Sequence, residues 1–204
     1  MRYTGPKARL CRREKQNLFS SPKYAKIMAK RSPRLGMHGD KRPGKMSEFA
    51  RQLREKQKGR YMYGLSEKQF KKYYSQATRM HGVTGEEMFK LMERRLDNAI
   101  FRAGLAMTRM QSRQFASHGL FTVNGRRVDV PSYQLREGDV VEVRQAKKDS
   151  PIFRQIREEL ENYTPPSWLQ VDTRKLSFTV TALPDADHID TVIDNQLIVE
   201  FYSR

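Results

Sequence analysis

The apolar positions change period along the chain, and the changes mark the elements. Over residues 1–46 no regular period is visible, and Pro6, Pro22, Pro33, Pro43, Gly5, Gly36, Gly39 and Gly44 interrupt the segment. That composition predicts an extended arm with one short helix from Pro22 to Ala29. From Ser47, a predicted N-cap, Phe49, Leu53 and Gln57 recur every four residues, the spacing of a helix face. Ser66–Gln69 reads as a capping box ahead of Phe70, Tyr73, Tyr74 and Ala77. Thr84–Glu87 reads as a second, ahead of Met88, Met92, Leu96, Ala99, Ile100 and Ala103. Thr108–Gln111 reads as a third, with Phe115 and Ala116 inside and Gly119 past the end.

The period then becomes two. Leu120–Val123 and Arg126–Val130 flank Asn124-Gly125, the strongest short hairpin signal, because both central residues need positive φ. Glu137-Gly138-Asp139 turns the chain into Val140–Val143. Pro151–Asn162 predicts a surface helix, Trp168–Val171 and Leu176–Thr181 two further strands, and the C-terminal stretch a helix capped near Asp194. The fold class is α+β: a basic arm (1–46), a helical domain (47–89) completed by 183–204, and a helix-helix-hairpin domain (90–182) with a small, mostly antiparallel sheet.

Charge adds a direction to this picture. The chain carries +17, and its first 60 residues hold 19 Lys or Arg against 4 Asp or Glu, while the remainder holds 21 against 19. Such an excess points to a polyanion and away from a small neutral substrate. The basic third supplies electrostatic affinity and the balanced remainder a folded reader. A lone cysteine, Cys11, excludes an internal disulfide and fits a reducing compartment. No run of about 18 apolar residues predicts a membrane span, and the charged N-terminus lacks the apolar core of a secretory signal, so a cytoplasmic location and no membrane partner are expected.

The candidate residues for binding that polyanion follow mainly from the cations. In the arm they are Arg2, Tyr3, Lys7, Arg12, Arg13, His38, Lys41 and Arg42; in the helix after Ser47 they are Arg51, Arg54, Lys56, Lys58 and Arg60. On the helix-helix-hairpin unit Arg95, Arg109, Arg113, His118, Arg126 and Arg127 can form one cationic surface. Guanidinium groups suit it because they grip phosphate bidentately and stack on bases. Spacing alone equally fits ordinary solvated charges. Met88 and Met92 read as core, and Tyr61, Tyr63, Tyr73 and Tyr74 as packing more than base stacking.

The stretch Glu93–Ala106, then Thr108–Gln114, Ser117-His118-Gly119, Val123–Val128 and Pro131-Ser132-Tyr133, resembles the S-four RNA-binding domain. The flanks Arg2–Lys7, His38-Gly39, Leu53–Lys58, Tyr63–Phe70, Ser167–Asp172 and Gln196–Ser203 are similar to the bacterial small-subunit ribosomal protein S-four family, and the resemblance covers nearly the whole chain. It implies a structural ribosomal protein and not an enzyme. Such a protein binds small-subunit ribosomal RNA, nucleates assembly of the subunit body and influences translational accuracy. It implies contacts with ribosomal protein S-five, other small-subunit proteins and messenger RNA where it enters. Leu197, Glu200, Phe201 and Tyr202, apolar and little charged, are the candidate protein contacts.

Two features bear on competing chemistries. Some members of the family bind zinc through four arm cysteines; here only Cys11 stands, with Ala8 where a Cys-x-x-Cys partner belongs, so no zinc or other cofactor is expected. His38 reads as an RNA contact, and His81, His118 and His188 have no metal-like spacing. Arg95-Leu96-Asp97 resembles a catalytic triplet of some pseudouridine synthases, but it falls inside the domain's own first helix, where Asp97 is expected to pair with a nearby cation. A regulator that binds RNA outside the ribosome is the third alternative. Removal of residues 1–46 is expected to leave a folded protein with weaker RNA binding.

Overall fold

The computed structural model describes residues 3–30, 36, 44–160, 163–185 and 193–204. The chain divides into two compact units, Met1–Gly85 with Asp190–Arg204, and Glu86–Ile189.

In the first unit, α1 (Lys7–Glu14) and α2 (Pro22–Lys30) precede α3 (Glu48–Met62) and α4 (Glu67–Ala77), and α9 (Asn195–Ser203) closes it. The short helix expected from Pro22 forms as α2, and α1 adds a second helix where the arm was expected to be extended. Leu10, Cys11 and Leu18 are buried, and Glu14 of α1 accepts a hydrogen bond from Arg54 of α3 at 3.4 Å. Two or three apolar residues over two turns leave no readable period, yet they suffice to seat a helix on a neighbour. Removing residues 1–46 takes away packed structure, so the truncation is expected to cost stability as well as RNA binding.

Ser47 caps α3 as expected, its hydroxyl accepting from Ala50 N. The buried face is another one, however: Gln52, Lys56, Gly59 and Met62 face inward, while Phe49 is exposed and Leu53 and Gln57 are half-buried. The determinant is α9, which packs along α3 from 148 residues away through Gln52 Nε2 donating to Glu200 at 2.9 Å. The Ser66/Gln69 capping box is complete, and Phe70, Tyr73 and Ala77 are buried behind it. Asp194 caps α9 by accepting from Gln196 N and Leu197 N. Asp194→Ala is expected to cost about 1 kcal/mol, measured as a shift of the urea midpoint without change of slope.

The second unit holds α6 (Leu96–Arg102), α7 (Arg109–Ser117), β1 (Phe121–Val123), β2 (Arg126–Val128), β3 (Val140–Val143), α8 (Pro151–Leu160), β4 (Leu169–Asp172) and β5 (Ser177–Val180). α5 (Thr84–Glu93) leads into it. Thr84 is the first residue of that helix and not a cap before it. The single helix expected through Ala103 is broken at Arg94-Arg95, although all six of its apolar residues are buried. Arg95 is extended (φ −66°, ψ 139°) and forms a β-bridge with Gln134, so a tertiary contact overrides the helical period.

The sheet is antiparallel in order β2-β1-β3-β5-β4. Its inner face aligns Phe121 with Val143, and Val123 with Val141, which in turn faces Phe178. These residues pack with Leu96, Ile100 and Phe115 of α6 and α7, and Phe153 and Ile156 of α8. The outer face, with Thr122 and Thr179, stays open, the usual state of a one-sided antiparallel sheet. Asn124 (φ 49°) and Gly125 (φ 78°) form the tight turn that their type demands.

Candidate nucleic-acid interface

The helix break positions the chemistry. Because Arg95 leaves the helix, its guanidinium folds back on Asp97 in the first turn of α6, Nε to Oδ1 at 2.9 Å and Nη2 to Oδ2 at 2.7 Å. Arg113 of α7 reaches the same carboxylate at 3.3 Å. A second carboxylate, Glu93, is fully buried at the end of α5. It accepts from both Nε and Nη2 of Arg102 at 2.9 Å and from Asn98 Nδ2 at 2.6 Å. Arg109 lies 4.0 Å from Glu93, donates to Asn98 Oδ1 at 2.8 Å and covers the Phe101 ring at 4.6 Å.

Two buried carboxylates thus serve four guanidinium groups. Three of these arginines, Arg102, Arg109 and Arg113, keep 17%, 9% and 21% of their side-chain surface open. Fixed in this way, the arginines need lose little rotamer freedom when they meet a phosphate. α7 itself is held by Thr108, which accepts from Gln111 N, while the Gln111 side chain turns to Met107 N. At the far end of α7, His118 is exposed, and Arg127 lies over Gly119. Gly119 has φ 62°, and a Cβ there would overlap the Arg127 guanidinium, so glycine both ends the helix and admits the arginine.

Residues 2–93 match the family described as Ribosomal protein S4/S9 N-terminal domain, and residues 94–141 match the S4 domain. Over 207 aligned residues the chain is 48% identical to small ribosomal subunit protein uS4 of Heliobacterium modesticaldum, spanning 100% of this chain and 99% of that protein. The uS4 proteins of Desulfitobacterium hafniense and Thermodesulfovibrio yellowstonii are 48% and 45% identical with the same coverage. The chain belongs to the uS4 family. This family is structural and not enzymatic, and Asp97, paired with Arg95 and Arg113, has the ion-pair role expected of it.

Several expected uS4 contact residues are placed otherwise by the structure. Arg95 is buried, with 1% of its surface open, and is a structural ion-pair partner, not part of the surface. Lys56 and Lys58 are also buried: Lys56 pairs with Glu67 at 2.9 Å and sits 4.3 Å from the Phe201 ring centroid, and Lys58 pairs with Glu55 at 2.5 Å. Arg51, Arg54 and Arg60 pair with Glu48, Glu14 and Glu67. Burial raises the Glu67 carboxyl, but hydrogen bonds from Lys56 and Tyr202 and the Lys56 and Arg60 charges outweigh it, and the group stays below its ordinary range. α3 is therefore largely neutralised by its own carboxylates and by those of α1 and α4, and of its cations Arg51 and Arg54 stay the most open, at 57% and 40%.

Arg126 and Arg127 are both exposed, but neighbours in a strand point to opposite faces, so only Arg127 joins the end of α7. Tyr3 is half-buried against Tyr61 at 5.3 Å, Lys7 lies over Phe19 at 5.7 Å, Arg12 is half-buried and Arg13 exposed. Arg2, His38, Lys41, Arg42 and His188 lie outside the described residues. The expected protein contacts Glu200, Phe201 and Tyr202 are half-buried and engaged within their own unit: Glu200 holds Gln52, Phe201 covers Lys56, and Tyr202 donates to Glu67 at 2.8 Å. Leu197 is half-buried.

Sequence reasoning missed Arg102 and Glu93 as members of the network. They are nine residues apart across a helix break, and no local spacing links them. Among the described residues no helix is long and apolar enough to cross a membrane, and no group of three His, Cys, Asp or Glu could hold a metal ion.

Proposed function

We propose that the chain binds small-subunit ribosomal RNA directly, as a structural constituent of the small ribosomal subunit, and that this binding nucleates assembly of the subunit body. The observation that carries the reading is the pair of buried carboxylates, Glu93 and Asp97, that fix the arginines around α7 in a rigid arrangement. Shape is read by that rigid surface with His118 and Arg127. Affinity comes mainly from the net positive charge of residues 1–60, 19 Lys or Arg against 4 Asp or Glu, carried chiefly by the segment before α3. The place of action is the cytoplasm. Family resemblance supports contacts with ribosomal protein S-five, an influence on accuracy, and proximity to incoming messenger RNA. For the protein neighbour, Met46 and Phe49, 45% and 50% exposed, favour the start of α3 over the C-terminal helix.

The same reading assigns no zinc. Cys11 is the sole cysteine, and one thiolate cannot close a four-ligand structural site.

The test is filter binding of small-subunit ribosomal RNA across a salt series. The logarithm of affinity should fall with that of salt, by roughly 0.7–0.9 per neutralised phosphate. A flat series contradicts the mechanism. The protein should also stay on assembled subunits through a high-salt wash; release would favour a regulator that acts elsewhere.

A further inference from the structure

We propose that the outward face of α4 is an additional docking track for the phosphate backbone of RNA, formed by Lys68, Lys71, Lys72 and Arg79. The inference rests on the RNA-binding reading above and assigns it a surface that the cation-rich N-terminal third and α7 do not contain.

The helix buries Phe70, Tyr73 and Ala77. At 100° per residue, Lys68, Lys71, Lys72 and Ser75 fall on the opposite side, with Arg79 continuing the row one residue beyond the C-cap Thr78. All five are exposed. The row runs about 16 Å along the axis, enough to follow several phosphates of one strand.

Three observations separate this row from an ordinary solvated face. First, such faces mix signs, whereas this one carries no acid; the helix's sole carboxylate, Glu67, is engaged by Lys56, Arg60 and Tyr202. Second, among the described residues none of the four cations has a carboxylate within ion-pair distance, although on α3 each cation does. Lysines three and four residues apart repel each other on a helix, so the arrangement costs stability until a polyanion meets it. Third, the row stands in the near-neutral remainder of the chain, with 21 Lys or Arg against 19 Asp or Glu, where general basicity does not account for it.

Charge complementarity therefore commits the face to a polyanion. A membrane surface would need the apolar side of the same helix, and that side is spent in the core. RNA is the polyanion that the rest of the chain binds.

The experiment compares three full-length proteins in filter binding to small-subunit ribosomal RNA over a salt series. They are the wild type, Lys68→Ala/Lys71→Ala/Lys72→Ala, and Lys147→Ala/Arg154→Ala/Arg174→Ala. The last removes equal charge from exposed positions of the second unit. Alanine is the best helix former, and unchanged helical circular dichroism verifies the fold of each. The α4 variant is expected to bind at least tenfold more weakly at moderate salt, with a slope shallower by about 2, three phosphates at roughly 0.7 each. The control should stay close to wild type. A wild-type slope retained by the α4 variant, or equal losses in both triples, overturns the track while leaving RNA binding intact. Failure of the wild type to bind overturns the underlying reading as well.

Discussion

Asp97→Ala is expected to destabilise the protein by about 3–5 kcal/mol, the usual cost of removing one partner from a buried ion pair. Arg95 has 1% of its surface open and makes two short charge-assisted bonds, at 2.9 and 2.7 Å, to this carboxylate. Truncation leaves a guanidinium in the interior short of its counter-charge, at the position where the chain leaves α5 and enters α6. Arg113 loses its 3.3 Å contact in the same step, so the end of α7 loosens too. The measure is the free energy of urea unfolding. Because removal of both charges leaves none stranded, Arg95→Met with Asp97→Ala should cost less than the two single changes summed. A loss below about 1 kcal/mol in Asp97→Ala, typical of an exposed pair, would mean that Arg95 is solvated and that the network does not organise the surface.

Replacing Trp168 with alanine should cost a similar amount, about 3–5 kcal/mol. The residue stands just before β4 with 1% of its surface open, in the cluster that joins the sheet to α6, α7 and α8. Its indole Nε1 is buried without an acceptor among the described residues. That detail separates two substitutions. Trp168→Phe loses volume but also removes an unsatisfied donor, whose burial itself costs about 1–3 kcal/mol, so the net penalty should be well below that of alanine. Trp168 is the sole tryptophan, and its loss removes the fluorescence signal, so unfolding is followed by far-ultraviolet circular dichroism. Equal penalties for phenylalanine and alanine would show that the indole nitrogen is satisfied.

Legibility followed the range of the interactions involved. The Ser66 capping box, the Thr108 and Asp194 caps and the Asn124-Gly125 turn depend on three or four consecutive residues, and each formed where its pattern stood. The break before α6 depends on Gln134 and Asp97 meeting Arg95, so a window of apolar spacing carried straight through it. The inner face of α3 was misassigned because α9, near the opposite end of the chain, selects it. α1 was missed because its burial rests on Leu10 and Cys11 alone.

The site divides in the same way. Which residues are cationic was plain, but whether a cation reaches solvent depends on carboxylates brought by other elements. Arg95, Lys56 and Lys58 went inward, and His118, Arg126 and Arg127 stayed outside. The α4 row, by contrast, was readable from spacing and needed only the structure's pairing pattern to separate it from solvated charge.

The central claim is that rigidly held cations around α7 and the hairpin tip contact small-subunit ribosomal RNA. Its most direct test is ultraviolet crosslinking of the purified protein to that RNA, with the crosslinked residues mapped. Crosslinks are expected at His118 and Arg127 and beside Arg113, with none at Arg95, Lys56 or Lys58. A map confined to α8 and the open face of the sheet, with α7 and the hairpin unmarked, would contradict it.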